Sequence, residues 1–222
     1  MKQKAFSVFG ILLIVVGLVL VVRPVYWYVS AHVAQNQLMQ LMEEVEEEDP
    51  VIVSGGPHQL DRESFEDVDR EEAEAPDVEE EPDGLISWED PGPFIILIPR
   101  IDVEAAVVDG VEVEDLAKGP GFYPESPRPG QEGNVAVAGH RTTYGEWFRH
   151  VDELEEGDEI LFTSSKAIYV YQVESVYPVA SNAWEVVDPT EEPKLTLTTC
   201  HPVGSARERL VVRAAFLKAE ER

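Results

Sequence analysis

Residues 5–22, AFSVFGILLIVVGLVLVV, form an uncharged, strongly apolar run of eighteen residues. As a helix rising 1.5 Å per residue, such a run is just long enough to cross the roughly 30 Å hydrocarbon core of a bilayer. It has no stable place on the surface of a water-soluble domain, so it separates the N-terminus from whatever the rest of the chain folds into. Lys2 and Lys4 precede it, which favours a cytoplasmic position for residues 1–4 and an external one for everything after residue 22. Tyr26, Trp27 and Tyr28 follow Arg23 and Pro24 and read as an aromatic belt at the outer interface. A cleaved secretory leader is the competing reading, with Val29-Ser30-Ala31 as its small-residue cleavage site; both readings export the body of the protein.

Residues 23–42 form a stem with helix formers such as Gln35, Gln37, Leu38, Met39 and Leu41, which suits a short helix leaving the membrane. Composition then changes sharply: residues 43–90 hold 21 acidic side chains against only Arg62 and Arg70. A segment so charged cannot bury enough apolar surface to offset its chain entropy, so residues 43–93 are expected to be a disordered spacer. As a coil of that length it would reach roughly 40 Å and hold a folded domain away from the membrane. The formal net charge of −27 for the whole chain excludes nucleic acid as a natural partner. The single cysteine excludes an internal disulfide.

From residue 94 to residue 222 the pattern is that of a β-domain. Residues 94–98, 105–108, 134–139, 159–162, 168–177, 195–200 and 210–216 are short apolar or β-branched runs, and turn signals fall at Pro127-Arg128-Pro129-Gly130 and Gly157-Asp158. Many short strands with little helix suggest a closed barrel or a sandwich. Residues 146–154 are the one helix-like insert, since Trp147, Phe148, Val151 and Leu154 would share a face.

The chemistry concentrates in residues 194–213, KLTLTTCHPVGSARERLVVR. Leu195, Leu197 and Thr199 alternate with Thr196, Thr198 and Cys200, so the only cysteine stands where a strand ends and Pro202 and Gly204 open a loop. A thiol held there is positioned yet reachable, although a lone cysteine is also commonly an inert, buried one. A thiol needs a neighbouring base or cation to act as a nucleophile. Of five histidines, His32 and His58 lie in the stem and spacer. His201, adjacent to Cys200, points to the opposite face, and His150 sits on the polar side of the insert. His140 remains, at the end of the strand NVAVAG, a second strand end opening into a loop. Arg207, Arg209 and Arg213 follow the cysteine with the same parity, and periodicity does not choose among them as the cation for an oxyanion.

The segment TLTTCHP followed by RLVVRA, together with NVAVAGHRTTYGEWF some sixty residues earlier, resembles the sortases, cysteine transpeptidases of Gram-positive cell surfaces. The resemblance covers residues 94–222. It implies an all-β fold, a closed barrel of about eight strands with short helical inserts behind an N-terminal transmembrane helix. It further implies Cys200 as nucleophile, His140 as acid/base partner and Arg209 as the cation that stabilises the oxyanion. Within the family, GHRTTYG and TLTTCHP are most similar to the class E enzymes of actinobacteria, with class D the nearest neighbour. That likeness implies a C-terminal Leu-Ala/Pro-x-Thr-Gly sorting signal as substrate, with Tyr144, Thr198 and Thr199 as substrate-binding residues. The partners implied are surface proteins bearing the signal, and a cell-wall precursor or other amine as acceptor. No metal and no cofactor are implied. The competing functional readings are a hydrolase that uses water as acceptor on the same residues, and a non-catalytic surface module with an unreactive thiol.

Overall fold

The computed structural model describes residues 2–48 and 92–222, with side chains described from Ile14 to Leu41 and from Gly92 onward. The predicted spacer lies largely outside these residues. Its first six residues, 43–48, are the end of a continuous helix, α1 (Lys2–Glu48), into which the predicted anchor, stem and start of the spacer have merged. Ile14–Leu41 of α1 contains an 18-residue stretch with a mean hydropathy of 1.8, long and apolar enough to cross a bilayer. Ile14 through Val22 are exposed, as a lipid-facing surface would be.

The remaining elements are β1 (Phe94–Ile98), β2 (Val103–Asp109), α2 (Val113–Leu116), β3 (Gly121–Phe122), β4 (Asn134–Ala138), β5 (Glu159–Thr163), β6 (Ala167–Ala180), β7 (Lys194–His201) and β8 (Glu208–Glu221). They close into a barrel in the order β1-β2-β3-β4-β7-β8-β6-β5. Seven of the strands coincide with the sequence pattern. The eighth, β3, is only two residues long and carries no alternation, yet it joins β2 to β4 and closes the ring. Closure removes sheet edges that would otherwise present unpaired backbone groups.

Side chains of one parity fill the barrel. Phe94, Ile96, Val135, Val137, Leu195, Leu197 and Val212 are at most 2% exposed and pack with Phe122, Phe162 and Tyr171. The rings stack edge to face or offset, with Phe94–Phe122 at 5.8 Å and Phe162–Tyr171 at 5.9 Å. The other parity of β4 and β7, Asn134, Thr196, Thr198 and Cys200, faces outward.

The predicted helical insert is corrected. Among residues 146–154 only a single 3-10 turn forms, Val151–Glu153. Phe148, Val151 and Leu154 are nevertheless buried on the core. Apolar residues set the face that is buried, but positive φ angles at Tyr144, Gly145 and Glu146 keep the segment from entering a helix.

Candidate active site

β4 and β7 run parallel in register, Ala138 beside Thr198, and the Gly139 amide continues the ladder to the Thr198 carbonyl at 3.0 Å. His140 and Cys200 therefore each lie two residues beyond a paired position, at neighbouring strand ends. β7 and β8 pair antiparallel with Cys200 directly opposite Arg209. Directly opposed residues in an antiparallel pair project to the same face with Cβ atoms about 5 Å apart. The three arginines that periodicity leaves equivalent are separated by this register. Arg213 lies opposite Thr196 and is engaged there, Nη1 donating to Thr196 Oγ1 at 2.6 Å and Nη2 to the Val186 carbonyl at 3.2 Å. Arg207 precedes β8 and is exposed. Arg209 is held by its own turn, Nη1 donating to the carbonyls of Ala206 and Glu208, both at 3.1 Å.

Burial lowers the pKa of His140 below its ordinary 6.5, so the imidazole is neutral at neutral pH. Its Nε2 is buried without a hydrogen-bond partner. A neutral imidazole with a free ring nitrogen can take a proton from a thiol or an amine. The His140 carbonyl accepts the Phe148 amide at 3.1 Å, and the Phe148 ring lies where a Cβ on Gly139 would be. Only glycine fits immediately before the histidine.

The proposed substrate-binding residues separate in space. Thr198 faces outward, and its Oγ1 shares a hydrogen bond with Tyr123 Oη at 3.0 Å. Thr199 points the other way, is 4% exposed, and donates to the Gly139 carbonyl at 2.7 Å, tying β7 to the end of β4. Tyr144 lies over His140 with ring centroids 5.1 Å apart. A groove of about 400 Å³ lies between the β3–β4 and β6–β7 connections, lined by Tyr123, Pro124, Ser126, Asn134, Val187 and Pro189. Asn134 secures its floor, Nδ2 donating to the carbonyls of Val186 and Asp188 at 3.1 and 3.0 Å.

Sequence reasoning did not find Arg141. This guanidinium is 1% exposed and bridges both halves of the site. Nη1 donates to the Cys200 carbonyl at 3.3 Å and to His201 Nδ1 at 3.0 Å, Nε donates to the Arg149 carbonyl at 3.3 Å, and Nη2 pairs with Asp152 at 2.7 Å. Because a guanidinium only donates, His201 Nδ1 accepts and its proton resides on Nε2. The motif GHR was the available signal, but nothing local says that the arginine turns inward. His150, by contrast, is exposed beside Glu153 as expected. His32, set aside with the stem, lies against Trp147 of the loop that follows His140, with ring centroids 5.2 Å apart.

Residues 96–217 match the profile of the sortase domain family. The chain is 34% identical to sortase D of Bacillus subtilis over 53% of its length and 60% of that protein's. It is 29% identical to sortase A of Bacillus anthracis over 95% of its length and 94% of that protein's. With SrtE1 of Streptomyces coelicolor it shares 31% identity over 58% of its length, spanning 41% of that relative. The solved structure of sortase E1 from that organism, with a tripeptide in its active site, superposes with a TM-score of 0.55 at 30% identity, covering 59% of this chain and 91% of that one. With the eight-stranded closed barrel and a profile match over more than half of the chain, the protein belongs to the sortase family of cysteine transpeptidases.

Proposed function

We propose that this chain is a membrane-anchored sortase, held by α1 with its N-terminus in the cytoplasm. It cleaves a C-terminal Leu-Ala/Pro-x-Thr-Gly sorting signal between Thr and Gly and transfers the protein to an amine of the cell wall. The signal lies extended from the groove at Asn134 along the outward face of β7, past Thr198, so that its Thr carbonyl reaches Cys200. Neutral His140 takes the thiol proton as Sγ bonds to the carbonyl carbon, and Arg209 faces the oxyanion that develops. The C–N bond then breaks, the proton passes from His140 to the leaving glycine amine, and a thioacyl enzyme remains. An acceptor amine attacks that thioester, gives its proton to His140, and expels the thiolate, which is reprotonated as the cycle closes.

The observation that carries this reading is the strand register that sets Arg209 opposite Cys200, beside the β4 end that bears His140. Mass spectrometry of the protein incubated with a sorting-signal peptide provides the test. The wild type should gain the mass of the acyl fragment, and Cys200→Ala should gain nothing. Turnover retained in Cys200→Ala would overturn the assignment. Product analysis with and without an added amine separates transfer from hydrolysis.

A further inference from the structure

The contacts of α1 with the barrel are organised around one polar side chain. Gln35 is 3% exposed. Its Nε2 donates to the carbonyls of Ala106 at 2.9 Å and Lys118 at 2.8 Å, and its Oε1 accepts the Ala106 amide at 2.8 Å. An amide that exchanges both bonds with one backbone residue replaces a strand neighbour, here at a part of β2 that β3 does not reach, since β3 pairs only with Val108 and Asp109. The socket has a matching glycine: a Cβ on Gly119 would overlap Gln35 Nε2. Ala31, one turn earlier on the same stripe, is fully buried.

The same stripe continues to the active-site loop. Trp27, two turns before Gln35, lies on Tyr144 with centroids 5.4 Å apart, His32 lies on Trp147 at 5.2 Å, and Tyr144 lies on His140 at 5.1 Å. Within that loop Tyr144, Gly145 and Glu146 have φ of 54°, 117° and 54°. Non-glycine residues held in the left-handed region are strained and persist only where their surroundings over-determine them. α1 supplies part of those surroundings through Trp27 and His32.

We propose that the stem part of α1 is a wall of the active site, locked into the Gln35 socket and positioning His140 through Tyr144 and Trp147. Gln35, Trp27 and His32 are positioning residues; none touches the reacting atoms. The inference rests on the transpeptidase reading above and adds that the stem is part of the catalytic machinery. Gln35 is thirteen residues beyond Val22, roughly 20 Å along a helix. The stem, rather than the acidic residues 43–93, thus sets how far the active site stands from residues 5–22.

The test uses the full-length chain in detergent micelles or lipid nanodiscs. Gln35→Ala empties the socket from the helix side, Gly119→Ala fills it from the barrel side, and Gln37→Ala, at an exposed position of the same helix, is the control. Gln35→Ala should lower kcat about tenfold with KM changed less than twofold, as displacement of a catalytic group does. The acid limb of its rate profile should move up toward pH 6.5 as His140 loses part of its burial. Gln37→Ala should match the wild type, and the double variant should be no worse than the worse single one. The groups on the loop and beside it are Arg141, Tyr144 and Glu146 of its own segment, Cys200 and His201 of β7, Arg209 of β8 and His32 of α1, and all stay unchanged. Titration of the His140 ring by NMR, without substrate, gives an answer even if no peptide is turned over: an upward shift in Gln35→Ala supports the proposal. An unchanged His140 titration, or a kcat that is retained or raised in Gln35→Ala, overturns it.

Discussion

Cys200 and Arg209 stand on two strands whose pairing is unbroken from Lys194 opposite Ala215 to His201 opposite Glu208, whereas His140 stands beyond the end of β4, at the head of a loop with three successive positive φ angles. The first half of the site is held by backbone register. A one-residue slip there would turn every side chain of β7 to the other face and expose Leu195 and Leu197, so the barrel core itself enforces the Cys–Arg pairing. The second half is held by side chains from several places: Phe148 against Gly139, Arg141 across to the Cys200 carbonyl, and Tyr144 beneath Trp27. The proposed nucleophile and oxyanion partner are thus set by the fold itself, while the proposed base is held by tertiary contacts that can be loosened without unfolding the barrel.

This contrast can be broken experimentally. The largest effect is expected in the rigid half. Arg209→Ala should cost on the order of 10²–10³-fold in kcat, the scale of losing one oxyanion donor, with Tm unchanged because the side chain is partly exposed and bonds only to its own turn. A peptide-cleavage assay paired with thermal unfolding checks both. A marked fall in Tm would show that the residue also holds the strand.

Arg141 is the tie between the halves, so its loss should appear in stability as well as rate. Arg141→Ala leaves the part-buried Cys200 and Arg149 carbonyls without that donor and should destabilise by about 1–3 kcal/mol. Arg141→Lys, which keeps the charge but not the fork, should recover only part of this. Urea unfolding of the two variants against the wild type is the measurement, and full recovery by lysine would show that charge rather than geometry matters.

The pH dependence follows from His140. Its folded pKa lies below 6.5 through burial, while the unfolded chain titrates near 6.5. In the window between these two values the unfolded state binds more protons, so stability rises with pH there and is level above 6.5 with respect to this group. His140→Gln should remove that acid sensitivity: the difference in unfolding free energy between pH 7.5 and pH 5.5 should shrink relative to the wild type.

The smallest effect belongs to the groove. Thr198→Val removes the hydrogen bond with Tyr123 Oη and should cost about 1 kcal/mol of stability, with kcat retained and KM for the signal peptide raised a few-fold. Steady-state kinetics separate the two parameters.

Much of this protein is legible along the chain because alternation and turn residues are local. The period of two in residues 195–200 locates Cys200 at a strand end, the apolar run 5–22 marks the helix, and the elimination of other histidines leads to His140. β3 escaped because two residues, Gly121 and Phe122, cannot display a period. The spacing in 146–154 suggests a helix because apolar periodicity reports which side chains are buried and is silent on backbone φ.

The order of residues alone yields a list of parts: strands, helix, a thiol, a candidate base and three candidate cations of equal parity. Only the closed barrel selects the arginine that stands opposite Cys200, turns Arg141 inward to the Cys200 carbonyl, and docks the stem through Gln35. The physical reason is the range of the interactions. Periodicity is set by neighbours two to four residues apart, whereas barrel register and docking contacts join residues tens of positions apart, and their geometry exists only once the ring of strands has closed.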